Sequence, residues 1–227
     1  MFDAREVTKV YQQGENAVHA LQGVNLQIAA GEFVSLTGPS GSGKSTLLHL
    51  LSAFDVPTAG VIHFQGRNLQ GLSDRERSRL RLTQFGFVFQ FFNLLPSLTA
   101  AENVALPLRL AGHGDKNARD RARTVLEQVR AGHRARHYPG ELSGGEMQRV
   151  AVARALVMEP AAILCDEPTG NLDSANGQAI LALLRDLPVA GGRSVIMVTH
   201  DPQAAQVADR RIHLRDGRVE TDEVLRD

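Results

Sequence analysis

The chain contains a single cysteine, Cys165. One thiol permits no internal disulfide and fits a reducing cytoplasm. There is no surplus of charge either, with 25 Lys and Arg against 25 Asp and Glu. That balance removes the electrostatic footprint of a non-specific nucleic-acid binder, and no nucleic-acid partner is expected. No apolar run approaches the roughly 20 residues that span a bilayer. The first residues, Met1-Phe-Asp-Ala-Arg-Glu6, lack the basic-then-apolar order of a secretion signal. Low-complexity tracts and internal repeats are also missing. Work at a membrane would therefore have to pass through a partner. What is present is ordinary for a globular protein: 227 residues, 43% hydrophobic and 22% charged, enough for one large domain with a buried core.

Phe33–Thr37 is a short β-rich run that ends at Gly38-Pro39-Ser40-Gly41-Ser42-Gly43-Lys44-Ser45, followed by Thr46 and an apolar helical stretch to Leu51. Strand, glycine-rich loop and helix in that order are the setting a phosphate loop requires. The glycines let backbone N–H groups turn inward around phosphates, and the helix N-terminus adds a positive dipole end. In such a loop Lys44 reaches the β- and γ-phosphates of ATP, and Ser45 offers its hydroxyl to Mg²⁺.

Ala161–Cys165 and Ser194–Thr199 are apolar almost throughout, as strands covered on both faces are. With the helical stretch Ser174–Leu187 between them they give the β-α-β rhythm of a parallel sheet. Glu6–Tyr11, Val24–Ala29 and Val61–Gln65 are mixed or alternating and separated by polar turns, which predicts a small antiparallel sheet near the nucleotide. Residues from about Phe91 to Met158 read as mainly helical, with helices over Lys116–Arg130 and Ser143–Met158. The expected fold is α/β: a P-loop NTPase core of the RecA-like kind, an antiparallel β subdomain, and a helical subdomain (approximately 91–158) inserted within a single domain spanning 1–227.

Asp166-Glu167 follows the strand Ala161–Cys165, at the edge of a parallel sheet where ligands bind. There Asp166 can hold Mg²⁺ and Glu167 can act as general base on the attacking water. About a hundred residues past the phosphate loop comes Leu142-Ser-Gly-Gly-Glu-Met-Gln148. Ser-Gly-Gly opening a helix is an anion site, and a plain helix cap is its bland alternative.

This last motif resembles the signature of the ATP-binding cassette (ABC) ATPases, and the likeness covers nearly the whole chain. The resemblance implies that Ser143, Gly144 and Gly145 contact the γ-phosphate of ATP held by an opposite subunit. Glu146 and Met147 stand where many relatives carry Gln. By the same resemblance Tyr11 is the aromatic that stacks on adenine, and Gln90, after the run Gly86–Phe89, touches Mg²⁺ and senses the transport partner. Asp173, in Asn171-Leu-Asp173, belongs to a loop crossing the dimer interface. His200 is the residue that binds the γ-phosphate and positions Glu167. The stretch Phe91–Leu108 and the run Thr169–Asp173 resemble the macrolide-efflux, lipoprotein-release and antimicrobial-peptide-export branch.

The function implied is ATP hydrolysis by a pair of cassettes, most simply a homodimer, which drive a separately encoded membrane permease from the cytoplasmic face of the membrane. Two other classes share the motifs. DNA-maintenance ATPases insert long coiled coils between the phosphate loop and the signature; here Lys44 and Ser143 lie 99 positions apart with no heptad run. Cell-division relatives regulate a membrane partner without transport, and Phe91–Leu108 does not exclude them. Three other features take bland readings. His133 and His137, interleaved with Arg134 and Arg136, lack a third metal ligand. Asp74–Arg81 is a solvated helix face, and Cys165 a small core residue.

Overall fold

The computed structural model describes residues 1–14 and 16–226, with backbone alone at 13 and 188–191. Its centre is a six-stranded sheet in the order β10-β9-β3-β8-β7-β6. Strands β3 (Phe33–Thr37), β6 (Phe85–Phe89), β7 (Ala162–Asp166), β8 (Ser194–Val198) and β9 (Arg210–Arg215) run parallel, and β10 (Arg218–Val224) turns back antiparallel on β9. The central strands are apolar at successive positions because both of their faces are covered. Phe33, Ile163, Cys165, Val195 and Met197 enter one core. Their neighbours Val34, Leu36, Leu164, Ile196 and Val198 enter the other. This is the two-residue alternation of a strand. Each fully buried Leu or Ile contributes roughly 1.5–3 kcal/mol to that arrangement.

The second core is closed by helix α1 (Lys44–Leu51) and by an antiparallel sheet of β1 (Phe2–Gln13), β2 (Asn16–Ile28), β4 (Ala59–Phe64) and β5 (Arg67–Asn68), in the order β2-β1-β4-β5. Strand β1 is bulged after Ala4, and Glu6 there takes a left-handed φ of 50°. Gly60 on β4 lies so close that a Cβ would fall 2.3 Å from the Glu6 carbonyl oxygen. A bulge can approach its neighbour this closely only where the neighbour has no side chain.

The first core is closed by α3 (Ala100–Leu110), α4 (Asp115–Gln128), α5 (Gly144–Leu156) and α6 (Ser174–Gly191). Helices α3 to α5 lie in the chain between β6 and β7, two strands that are neighbours in the sheet. Helix α5 presses directly on β6. A Cβ at Gly86 would sit 2.4 Å from the Ala155 carbonyl oxygen, so this strand position has no room for a side chain.

The structure refines several sequence expectations. Strand β7 is shifted by one residue, so Asp166 is its last paired rung rather than a residue beyond it. Residues 91–99 and 129–143 form turns and 3-10 segments instead of α-helix. The first of these stretches is pinned from inside: buried Asn103 binds Leu95 N, Leu95 O and Leu98 O, and Arg154 donates to the carbonyls of Phe92 and Asn93. The β9–β10 hairpin, whose Arg and Glu alternation hides the strand signal, was not anticipated. Helix α2 (Asp74–Gln84) buries only Leu80, in keeping with a solvated face.

Candidate active site

Parallel strands put their C-terminal ends on one edge, and ligands of open α/β sheets bind there. The register decides which residues meet. Phe89 pairs with Asp166, Asp166 with Val198, and Leu36 with Val198. The next residue of each strand therefore falls into one row: Gln90, Glu167, Thr199 and Thr37. Backbone bonds extend the row one step past the strands, from Glu167 N to Val198 O (3.0 Å) and from Thr199 N to Leu36 O (3.1 Å).

The loop Gly38–Gly43 leaves β3 in this row. Gly38, Gly41 and Gly43 have φ of 140°, 79° and 97°, conformations that L-residues resist. Two of the three are also sterically required: a Cβ on Gly38 would lie 2.1 Å from Leu214 O, and one on Gly43 would lie 2.4 Å from Ala20 O. Lys44, a residue only 9% exposed, donates from its ammonium to Gly38 O (2.9 Å), Pro39 O (2.8 Å) and Ser42 Oγ (3.4 Å). Burial pulls its pKa below the ordinary lysine value, while the charges of Glu167 and Asp166 oppose the shift. Its cationic form is thus matched to a site that brings negative charge.

Ser45 Oγ, in the first turn of α1, faces Asp166 Oδ1 at 3.5 Å. Burial raises the Asp166 pKa above the usual carboxylate value; Glu167's charge adds to this, while His49, Ser45 and Lys44 counter it. A carboxylate in that position gains from a nearby cation. Among the described residues no group of three or more His, Cys, Asp and Glu could hold a metal. One carboxylate and one hydroxyl are instead what Mg²⁺ uses when phosphates and water complete its shell. Gln90, at the same edge, is engaged by Asn171: its Nε2 donates to Asn171 Oδ1 (3.2 Å), and Asn171 Nδ2 donates back to Gln90 O (3.0 Å). Its Oε1 remains the atom that can serve a cation.

Glu167 adopts a left-handed φ of 49°, a conformation costing about 1–3 kcal/mol that the surrounding structure must enforce. Its Oε1 lies 2.9 Å from His200 Nδ1, and its Oε2 lies 3.5 Å from His200 N. A carboxylate only accepts, so the Nδ1 proton is the one shared. The carboxylate is 19% exposed and the imidazole 73%. His200 is thereby held as an arm, one nitrogen on Glu167 and the other toward solvent.

Tyr11 lies near the first turn of α1, close enough for Thr46 to act on its hydroxyl. That hydroxyl donates to Asp55 Oδ2 (2.9 Å), and the Lys9 ammonium sits 4.8 Å from the ring centroid while binding Asp55. Lys9 and Asp55 were missed in the sequence because they are far apart in it and belong to no motif.

The residues Ser143, Gly144 and Gly145 open helix α5. Ser143 Oγ accepts from Glu146 N (3.3 Å), and Glu146 Oε2 accepts from Ser143 N (2.9 Å), a capping box. A Cβ on Gly145 would lie 2.3 Å from Asn176 Oδ1, and one on Gly144 would lie 3.4 Å from Leu172. Gly145 therefore brings α5 close against the Asn176 side chain. Asp173 spends both carboxylate oxygens on Asn176, capping α6 (2.9 and 2.7 Å). Gln148, fully buried, ties the helix to Phe89 O (3.3 Å) and Pro168 O, an anchoring role the sequence did not disclose. Among the described residues no hydrogen bond or ion pair joins Ser143–Gly145 to the loop Gly38–Lys44. Among the described residues, the two candidate anion sites are thus not bonded to each other.

The chain belongs to the ABC transporter family, which it matches over residues 21–170. It is an ABC ATPase cassette, the ATP-binding and ATP-hydrolysing subunit of a transporter. Its relatives are those of the macrolide-export and lipoprotein-release branch. It is 47% identical over 219 residues to the lipoprotein-releasing system ATP-binding protein LolD of Bordetella pertussis, covering 96% of this chain and 95% of that one. Against the macrolide export ATP-binding/permease protein MacB of Syntrophobacter fumaroxidans it is 44% identical over 222 residues, covering 97% of this chain and 31% of MacB. The ABC transporter ATP-binding protein MJ0796 of Methanocaldococcus jannaschii is 46% identical over 230 residues, covering 100% and 98%. A dimeric post-hydrolysis structure of MJ0796 bound to ADP and Pi matches this fold with a TM-score of 0.92 at 45% identity, over all of both chains. At that identity the likeness reaches beyond fold to chemistry.

Proposed function

We propose that two copies of this chain close head to tail around two ATP molecules, each held between the Lys44 loop of one copy and the Ser143 element of the other. The observation that carries this reading is the separation of the two phosphate-binding elements within one chain. An anion site at a helix N-terminus, not bonded to the other half among the described residues, is completed by a second copy.

In the closed pair, backbone N–H groups of the Gly38–Gly43 loop and the Lys44 ammonium hold the phosphates, and Tyr11 offers adenine the ring face opposite Lys9. Ser45, Asp166 and Gln90 Oε1 would hold Mg²⁺, which when bound neutralises charge on the β- and γ-phosphates. Glu167 Oε takes a proton from the attacking water. His200 donates from Nδ1 to Glu167 and turns its other nitrogen toward a γ-phosphate oxygen, fixing the base and the phosphoryl group relative to each other. ATP touches both copies only in the closed form, and this differential affinity shifts the equilibrium toward closure. Hydrolysis removes the bridge and the pair reopens.

The motion is passed to a separate membrane subunit; among the described residues no helix is long and apolar enough to cross a membrane. The receiving surface is a groove of about 410 Å³ lined by Phe54, Phe87, Phe89, Pro107 and Met158, with Arg81 at its side. It lies where β6, which leads into Gln90, meets the inserted helices, so a helix from a permease loop seated there is linked to the Mg²⁺-facing edge. The deciding experiment uses Glu167→Gln, which retains the ATP contacts and removes the base. With ATP and Mg²⁺ this variant elutes as a dimer on size-exclusion chromatography, and without nucleotide as a monomer. A monomer under both conditions overturns the reading.

A further inference from the structure

Tyr11 stands near the end of an outlying hairpin. Strand β4 pairs with β1 no further than Thr8 and Ala59, and beyond that point Tyr11 pairs with Val18 of β2. Support from the other side comes from the turn 52–58, which follows helix α1. Thr58 N donates to Thr8 O (2.8 Å), and Val10 N donates to Thr58 Oγ1 (3.0 Å). From the same turn Asp55 reaches the two side chains that flank Val10. Its Oδ2 accepts from the Tyr11 hydroxyl (2.9 Å), and its Oδ1 accepts from Lys9 Nζ (2.8 Å).

Lys9 is buried, and its protons are spent inside the protein. The ammonium lies 2.8 Å from each carboxylate oxygen of Asp55 and 2.8 Å from Val56 O, which accounts for all three donors. A cation so occupied serves no ligand directly. What it also touches is the Tyr11 ring, whose centroid is 4.8 Å away, within reach of a cation–π contact. Burial works to raise the Asp55 pKa, yet the bonds from Lys9, the Val56 amide and Tyr11 outweigh it and hold the carboxyl below its usual value. The carboxylate between Lys9 and Tyr11 therefore stays charged at neutral pH.

Two restraints thus act on one ring. A phenol held only at its hydroxyl can still turn about its long axis, and a cation over one face stops that turn. Tyr11 itself is only half-buried, so ring surface is left for a ligand.

We propose that Lys9 and Asp55 are positioning residues for the nucleotide base: acting through the Tyr11 ring, they hold it in the plane that receives adenine while the phosphates occupy the Lys44 loop. This inference rests on the assignment of Tyr11 to adenine made above. Stacking on a ring already fixed costs less ordering than stacking on a free one. Because the turn 52–58 continues helix α1, whose first residue is Lys44, Asp55 also ties the base platform to the phosphate loop.

The test is the ADP affinity of the full chain, read by calorimetry; ADP engages loop and base alike and is not turned over. Tyr11→Leu weakens it by about tenfold or more, the scale of one base–aromatic stack. Lys9→Met, which keeps the stem and loses the charge, weakens it by roughly two- to tenfold, the scale of ordering one side chain. In a Tyr11→Leu background Lys9→Met has no further effect, whereas a merely structural ion pair would cost as much there as in the parent. Tyr11→Phe keeps the ring face and cuts the bond to Asp55, and weakens ADP by about two- to threefold. This variant still decides if Lys9→Met, which leaves Asp55 unpaired, fails to fold. Unchanged ADP affinity in either Lys9→Met or Tyr11→Phe overturns the proposal, as does a Lys9→Met loss of equal size with and without the Tyr11 ring. If Tyr11→Leu binds ADP as the parent does, the adenine assignment fails and this inference falls with it. A Tyr11→Leu loss beside an unaffected Lys9→Met variant sinks this inference alone.

Discussion

The edge of the parallel sheet and the N-terminus of helix α5 are the two places proposed to hold phosphate, yet they are built differently. At the edge, residues far apart in sequence reach one another: Ser45 faces Asp166, Glu167 meets His200 33 positions on, and Lys44 feels both carboxylates. At α5, Ser143 is served by Glu146 three residues away, and the glycines are shaped by the segment 171–176 just across the helix. The first region is a chemical centre lacking one wall. The second is a wall without a chemical centre. Their difference is what the proposal of a two-copy catalytic unit rests on.

The strongest way to break that contrast is to remove the base from the edge. Glu167→Gln should lower kcat by roughly 10²–10⁴-fold, the usual contribution of a positioned general base, without loss of ATP binding; steady-state phosphate release measures it, and wild-type turnover would defeat the assignment. Next in size, Lys44→Ala should weaken ATP binding about 10-fold or more through loss of a charge-assisted phosphate contact. Calorimetry on the isolated chain reads this, and an unchanged affinity would count against the role of Lys44.

Smaller effects sharpen the contrast through stability. At Gly43, Ala would have to keep φ at 97° and put its Cβ near Ala20 O, so Gly43→Ala should cost about 1–3 kcal/mol, seen as a lower midpoint in urea. A variant as stable as the parent would show that the loop relaxes freely. The smallest effect is one of pH. The folded-state pKa of Glu146 is lowered from 4.5 to about 2, so its contribution to stability is present above about pH 4.5 and is lost as pH falls toward 2. Melting temperatures of Glu146→Gln across that window should fall less steeply than those of the parent. Parallel slopes would mean the carboxylate is not specially held.

The motifs were legible because each is a local demand of chemistry on a short segment. A loop with φ of 140°, 79° and 97° at three positions has to be written in glycine, and it can be read as such. The parallel core was legible from its two-sided apolar strands. Helices α1, α4 and α5 were legible as well, with boundaries off by a residue or two, while α2 and α6 run three and four residues past the stretches the sequence suggests. Partnerships that span the chain left no local trace. Asn103 holding the turn at Leu95–Leu98, Gln148 anchoring the helix, and Lys9 with Asp55 beside Tyr11 are single polar residues whose partners lie elsewhere. The β9–β10 hairpin was obscured because its charges pair across strands, as with Arg210 and Asp222 or Arg211 and Glu223, and so never form an apolar pattern.

The sequence alone determined that the chain handles nucleotide phosphates, and in which order its elements do so, since spacing within a strand-loop-helix unit is enough to form a phosphate cradle. Only the tertiary structure decided which of those elements meet. Strand register placed Gln90, Glu167, Thr199 and Thr37 in one row, while the packing of α5 on β6 and the 171–176 segment set Ser143 among different neighbours. The reason is physical: a cradle is made by backbone conformation over a few consecutive residues, whereas proximity between distant segments is settled by sheet order and helix packing.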